Sequence, residues 1–463
     1  MTRLKRLLGL GLLLLAGWAQ GQQKHELTVK EAVELAYKNV IELKNAEIDY
    51  RIQEALNKET LGRALPQVNA VAGAQYYTQL PNFLFPDATS TAVYSILKEE
   101  GVSGSNGPIT DVPPPTLRQV SFQQPWNTAL GATLQQLLFQ PDVFVGLQAR
   151  KTALNLSSAV IEQTKERIKD SAYRRYYAIL VAEQQLRFID TSIKRLEKLY
   201  RDDSVMFKNG FAERLDLDRV QVQLNNLRST RTFVENGVTI SYAALKFSLG
   251  LPQQDIVVLK EELTPATIKE GILDSDFKYE DRAEIRTLQA SKELQQLDVK
   301  RYQLGVLPTV ALSGNYSING QGQRFIFSGS TVYLNSSYIG LNISMPLFDG
   351  LQRRYKTKQA QLRVDKTENN ITEVKQVIDL QQTISRETLK SALYNLDMQE
   401  RNLELALKVY NTTKLKFEQG LGSSFEVLQA DTDYQQAQNN FFNALYNATV
   451  AKIAYQSSLG KLQ

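Results

Sequence analysis

A chain of 463 residues without a cysteine has no disulfide framework, no thiol chemistry, no zinc–thiolate site and no leader cysteine to carry a lipid. Its 54 basic and 49 acidic residues leave a formal charge of +5, and removing the three basic residues of the leader lowers this to +2, which makes no electrostatic case for nucleic acid. The sole histidine, His25, reads as an exposed terminal residue, and there is no nucleophile elbow. No catalytic set, cofactor site or metal site is therefore expected.

Residues 1–21 read as a secretory signal peptide. Arg3, Lys5 and Arg6 precede an apolar run from Leu7 to Ala16, and Ala19-Gln20-Gly21 supplies small residues for cleavage after Gly21 or after Ala19. The apolar run is too short to span a bilayer. No later stretch approaches a membrane helix.

The mature chain contains one arrangement twice. Phe207 to Gly250 lies on Phe417 to Gly460 at a shift of 210: Phe207 on Phe417, Gly210 on Gly420, Asp216 on Glu426, Leu217 on Val427, and Ser248-Leu249-Gly250 on Ser458-Leu459-Gly460. Upstream, Lys198 falls on Lys408 and Tyr200 on Tyr410. Val40-Ile41-Glu42-Leu43 and Leu65-Pro66 match Arg282-Ala283-Glu284-Ile285 and Leu307-Pro308 at a shift of 242. Gly131 to Phe139 matches Gly340 to Phe348 at 209. Such self-similarity has to be read before any motif. Residues 22–250 form a first repeat, 251–280 a linker carrying Pro252, Pro265 and the β-like run Ile256 to Leu259, and 281–463 a second repeat.

In each repeat the order is helix, Leu-Pro, strands, Gly, Phe, long helix, Gly turn, returning helix. The first helices are expected at Thr28 to Leu61 and Asp281 to Tyr302, each ending toward its proline, Pro66 or Pro308. Strands follow where apolar residues alternate: Val68, Ala70, Ala72, Ala74; Leu130, Ala132, Leu134; Val310, Leu312, Tyr316, Ile318; Ile339, Leu341, Ile343, Met345. The first repeat carries 33 more residues between its proline and its glycine, from about Leu80 to Leu117. Gly101, Gly104, Gly107, Pro108 and Pro113-Pro114-Pro115 mark them as a long surface loop.

The helices beyond Phe139 and Phe348 are long. After Asp349-Gly350 no Pro or Gly occurs until Gly420, room for a helix of roughly 100 Å. Val143 to Lys208 is nearly as long. Leu389, Leu393, Leu396, Leu403, Leu407, Tyr410 and Phe417 keep the three–four spacing of a coiled-coil seam. The returning helix, Glu426 to Leu459, is about half as long, near 50 Å. Two half-length helices end to end match one long one, which calls for a tall cylinder rather than a globule.

This ordered set resembles the TolC-like outer-membrane efflux proteins over essentially the whole mature chain. Its carriers are the Leu-Pro junctions, the Gly–Phe strand ends, and the turns Phe207-Lys208-Asn209-Gly210 and Phe417-Glu418-Gln419-Gly420. The resemblance implies a mixed α and β homotrimer. Each chain would give four strands to one shared twelve-stranded transmembrane β-barrel, continued by a long α-helical periplasmic barrel of coiled-coil hairpins. It implies an exit duct for efflux or type I secretion, in contact with outer-membrane lipid, served by a periplasmic adaptor and an inner-membrane transporter. A structural or adaptor-type periplasmic coiled-coil protein is the alternative; it accounts for the helices but not the alternating strands.

The resemblance places the constriction and the adaptor contact at the helical tips. Asp216 and Glu426 would give a ring of six carboxylates in a trimer, a device that favours cations. As first-turn acids they equally suit the helix dipole. Two positions depart from the family pattern: Gln429 stands where a second acid is common, with Arg219 as its repeat mate, and Gly422 stands where an Arg contributes to the closed mouth. Gly210 and Gly420 suit helix-ending turns. Phe207 and Phe417 read either as seam residues or as surface offered to a partner. Trp126, Tyr76, Tyr77, Tyr316 and Tyr338 would suit an aromatic girdle.

Overall fold

The computed structural model describes residues 23–269, 277–325, 329 and 331–462. The leader expected at 1–21 lies outside them, as does 270–276 of the expected linker. In chain order the elements are β1 (Lys24–Leu27), α1 (Val29–Asn39), α2 (Ile41–Gly62), β2 (Gln67–Tyr76), β3 (Phe83–Asp87), α3 (Thr89–Glu99), the short β4 (Ser103–Gly104) and β5 (Gly107–Pro108), β6 (Thr116–Val120) and β7 (Trp126–Phe139). They continue with α4 (Pro141–Lys208), α5 (Arg214–Ser248), β8 (Ile256–Leu259), α6 (Pro265–Lys269), a single 3-10 turn at Tyr279–Asp281, α7 (Ala283–Leu304), β9 (Thr309–Gly322), β10 (Val332–Ser344), α8 (Gln352–Glu418) and α9 (Ser424–Ser458). The fold is mixed helix and sheet, and it divides into two compact units.

One unit, Leu56–Gln148 with Leu297–Lys358, holds the main sheet. Its order is β10-β9-β7-β2, antiparallel throughout. Register decides which side chains share a face, because alternate residues point to opposite sides. Ile339 pairs with Gly314, Gly314 with Leu134, and Leu134 with Val68. The face so defined carries Val68, Leu130, Leu134, Leu312, Ile318, Ile339, Leu341 and Ile343. The opposite face carries Asn69, Gln75, Asn127, Thr133, Gln135, Ser313, Asn315, Ser317, Asn319 and Asn342. None of the four strands contains Asp, Glu, Lys or Arg. β7 and β9 approach closely at Gly131, where a methyl would lie 2.4 Å from the carbonyl oxygen of Tyr316.

Aromatics gather at one end of this sheet, with ring centroids 4.9 Å apart for Tyr76 and Trp126 and 5.1 Å for Trp126 and Phe325. Tyr316 lies on the apolar face, nearer its middle. Tyr338, expected with the girdle, sits on the polar face because it pairs with Asn315.

Three further expectations are corrected here. The stretch read as a bare loop contains the β3–β6 ribbon and the helix α3, because its turn residues cluster around Gly101–Gly107 and 111–115 and leave Thr89–Glu99 free of Pro and Gly. The prolines do not end the preceding helices. α2 stops at Gly62 and α7 at Leu304, and Pro66 and Pro308 instead stand immediately before β2 and β9, where their fixed φ suits extended backbone. The helix expected from Thr28 to Leu61 is broken at Val40, whose backbone is extended (φ −63°, ψ 123°).

That break has a physical reason in the other unit, formed by the chain up to Ala55, Ala149–Gln296 and the chain from Gln359 onward. Gly250, at the end of α5, is left-handed (φ 66°), and a methyl there would lie 2.8 Å from the backbone carbon of Asn39. The second half repeats the device. Arg282, the counterpart of Val40, is extended (φ −86°, ψ 125°), and a methyl on left-handed Gly460 would lie 3.0 Å from the Asp281 carbonyl oxygen. Each returning helix thus ends against the chain just before α2 or α7.

The core of this unit joins α1, α4, α8 and α9 through Ala32, Ala36, Ile179, Leu396, Leu445 and Ala448. Tyr176 is fully buried, and its hydroxyl donates to the Leu27 carbonyl at 2.9 Å. Of the expected seam, Leu389, Leu396 and Tyr410 are buried, while Leu407 is more exposed. β1 pairs in parallel with β8. His25 lies in β1 with Nε2 3.1 Å from Asp255 Oδ2, so it is a paired strand residue and not an exposed terminal one.

Gly250→Ala would force a left-handed conformation that costs an L-residue about 1–2 kcal/mol, before any overlap with Asn39. Its unfolding midpoint in denaturant is expected to drop. Gly62→Ala, which faces open space, is expected to be neutral or to stabilise by up to about 1 kcal/mol.

Candidate functional site

The two long helices end in the same way. Gly210 (φ 80°) donates its N–H to the Phe207 carbonyl at 3.0 Å, and Phe211 donates to Met206 at 2.8 Å. Gly420 (φ 73°) donates to Phe417 at 2.9 Å, and Leu421 to Lys416 at 2.9 Å. This pair of bonds satisfies carbonyls that a helix end leaves free, and glycine adopts the required left-handed geometry without a Cβ penalty. Phe417 packs against a buried cluster containing Leu196, Val220, Tyr410, Val427 and Tyr434, whereas Phe207 is only partly covered.

The returning helices start four residues beyond these glycines, at Arg214 and Ser424. The Ser423 hydroxyl accepts the Glu426 N–H at 3.2 Å, capping α9, whereas Glu213 caps α5 without a side-chain bond. Asp216 and Glu426 both occupy the third position of their helices, where a carboxylate suits the helix dipole. Asp216 is not a bare acid: Arg219 Nη1 lies 3.6 Å from its Oδ1, and the same guanidinium stands 4.9 Å above the Phe425 ring. Glu426 is exposed, and a methyl at Gly422 would lie 3.2 Å from its Oε2, so Gly422 leaves room for that carboxylate. Gln429 is exposed and donates to Asp433 at 2.9 Å.

The remaining residues singled out in the sequence belong to the sheet unit. Pro66 and Pro308 precede strands, Phe139 closes β7 with its ring 5.4 Å from Phe144, and Phe348 is exposed beyond β10.

Below the turns, α4 and α9 meet through polar groups that sequence reasoning missed. Arg195 Nε donates to Asp431 Oδ1 at 2.9 Å, and the Asp431 side chain is 2% exposed. The Arg195 guanidinium lies 5.4 Å and 5.0 Å from the rings of Tyr410 and Tyr434, which stack on each other. Ser424 donates through its hydroxyl to the buried Asp203. Ser192 donates to Gln438 at 3.5 Å, and Gln185 to Asn439 at 3.4 Å. The signal was present: Ser424, Asp431 and Gln438 recur every seven residues, a polar stripe at interior spacing.

Relatives carry the same architecture. The family described as outer membrane efflux protein matches residues 280–461. The outer membrane protein TolC of Vibrio cholerae serotype O1 is 20% identical over 334 residues, spanning 72% of this chain and 76% of its own. Protein CyaE of Bordetella pertussis is 24% identical over 356 residues, 72% of each chain. A CusC structure superposes with a TM-score of 0.71 at 14% identity, covering 94% of this chain and 93% of that one. This chain is similar to the TolC-like outer membrane efflux proteins and shares their fold.

At and below the turns two acids are held away from water. Burial pushes the Asp203 carboxyl above its ordinary range against the Ser424 hydrogen bond, and nearby Asp216 and Asp202 add to the rise. Burial likewise pushes Asp431 up, opposed by Arg195. An acid whose folded pKa is raised binds its proton more tightly folded than unfolded. Stability therefore falls as pH climbs from the unfolded value, about 3.9, through the folded one. Asp203→Asn is expected to be more stable than wild type at pH 7 and to lose less stability between pH 4 and pH 7. Identical pH slopes in chemical unfolding would contradict this account.

Proposed function

We propose that this outer-membrane protein is the exit duct of a tripartite efflux or type I secretion system. It would pass substrates from a periplasmic adaptor and an inner-membrane transporter to the exterior. The observation that carries the reading is the main sheet: uncharged, apolar on one face, hydrogen-bonding on the other, with β2 and β10 unpaired on their outer edges. In lipid each unsatisfied backbone group costs several kcal/mol, so such edges have to be closed. Repeating the chain about an axis pairs β2 of one copy with β10 of the next. Three copies give twelve strands, an even number as in bacterial barrels. The apolar face then meets lipid and the amide- and hydroxyl-bearing face meets water. A coiled-coil periplasmic protein without a channel would leave this sheet without a role.

The helical unit supports the same closure. α4 contacts both α5 and α9, and α8 contacts α9, which leaves one flank of α5 and one of α8 free for neighbouring copies. The tips at Gly210 and Gly420 form the entrance in this reading. Phe207 beside them is offered to the adaptor, while Phe417 packs into the seam. Asp216 and Glu426 from three copies ring the water path, and such rings favour cations.

The purified protein is expected to be a trimer by light scattering in detergent, and a stable folded monomer would overturn the barrel. Replacing both Asp216 and Glu426 with Ala should lower cation preference in planar bilayers. Acids serving only the helix dipole would instead cost about 0.3–1 kcal/mol each in stability and leave ion selectivity unchanged.

A further inference from the structure

The two returning helices begin alike in backbone and differ in charge. At the 210-residue offset Arg214 falls on Ser424, Asp216 on Glu426, Asp218 on Leu428 and Arg219 on Gln429. Residues 214–219 of α5 thus hold two acids and two arginines, whereas 424–429 of α9 hold one acid, Glu426. On α5 each acid has an arginine. Arg214 Nε donates to Asp218 Oδ1 at 3.1 Å, and Arg219 Nη1 lies 3.6 Å from Asp216 Oδ1. Among the described residues the Glu426 carboxylate has no cationic partner. The duplicated halves have diverged: charge is cancelled at the start of α5 and left bare at the start of α9.

Arg219 stands three residues along α5 from Asp216, so the two share one face of the helix. Wherever that face meets water, both charges meet it. The Arg219 guanidinium also lies 4.9 Å from the centroid of Phe425, in the first turn of α9. That ring holds it beside a groove of about 400 Å³ between the two returning helices, walled by Leu215, Val222, Phe425 and Leu428. The side chains of Asp216 and Arg219 are 25% and 43% exposed. An ion pair so open to water contributes little stability. Its larger effect is on the electrostatic field that a passing solute meets.

Resting on the duct and its mouth as proposed above, we infer that Arg219 sets the charge selectivity of the mouth by cancelling Asp216. Of the six carboxylates in a trimer, three face a guanidinium on their own helix, and the Glu426 ring alone acts uncompensated. Over a Debye length of about 8 Å at physiological salt, opposite charges this close act on an ion nearly as a neutral pair. An acid ring favours cations through the charge left bare. An anionic solute therefore meets three repelling charges instead of six, and the cargo class admitted extends to anions.

In planar bilayers, Arg219→Gln is expected to raise the potassium-over-chloride permeability ratio at least twofold. It should also lower the lanthanum concentration for half block at least fivefold. Arg219→Lys keeps the charge without the planar stacking on Phe425 and should match wild type. Asp216→Asn/Arg219→Gln removes the pair together, leaves the Glu426 ring, and should match wild type as well. An unchanged ratio in Arg219→Gln, with the trimer intact by light scattering, would overturn this inference and leave the duct standing. So would an Arg219→Lys variant that behaves like Arg219→Gln, since stacking and not charge would then be what counts. A wild-type trimer that conducts no ions would overturn the duct and this inference together.

Discussion

A strand at the edge of a sheet leaves a row of N–H and C=O groups with no partner, and water or another strand has to supply one. β2 and β10 are both such edges, on a sheet whose one face is apolar and whose strands hold no charge to blunt an edge against pairing. The usual protections, a lysine on the edge strand or a proline within it, are missing from both. Much else in the molecule is consistent with edges that close on another copy of the chain. Within the helical unit the α4–α9 seam carries a charged clamp, Arg195 on the buried Asp431.

The helical unit solves a problem of length. α4 spans 68 residues and α8 spans 67, while each returning helix has only 35. Gly250 and Gly460 let a returning helix end tightly against the kink before α2 or α7, and no larger residue fits there without displacing backbone. The kinks at Val40 and Arg282 are therefore parts of the junction. Arg282 adds a buried bond, donating to the Ser458 carbonyl at 2.8 Å, while the first junction has a valine at that position.

Periodicity and punctuation made most of this visible in the sequence. The four strands, both long helices, the Gly turns and the offset between halves follow from alternation, from missing Pro and Gly, and from self-similarity. The break at Val40 did not, because nothing local distinguishes a β-branched residue that continues a helix from one that ends it; the cause sits more than two hundred residues away at Gly250. β1 escaped notice for a related reason. Four residues beside a leader carry too little pattern, and only the distant β8 makes them a strand. The turn-rich composition around Gly101–Gly107 hid α3 by suggesting that its surroundings were all loop. At the tips, Asp216 and Glu426 were readable as first-turn acids, and Asp431 stood in a seven-residue polar stripe with Ser424 and Gln438, but Arg195 and Asp203 were not readable, because a charge inside a heptad looks like a solvated face until its partner helix is placed.

The division of the sheet into a greasy face and a wet one also bears on how such a chain is delivered. Along the sequence each of the four strands alternates, so none of them is continuously apolar, and the mean hydropathy of the whole chain is −0.31. No described helix is long and apolar enough to cross a membrane. The hydrophobic surface comes into being only when register aligns Val68, Leu134 and Ile339 on one side. Affinity for a bilayer is in this sense an acquired property of folding, withheld until the chain has passed the first membrane it encounters.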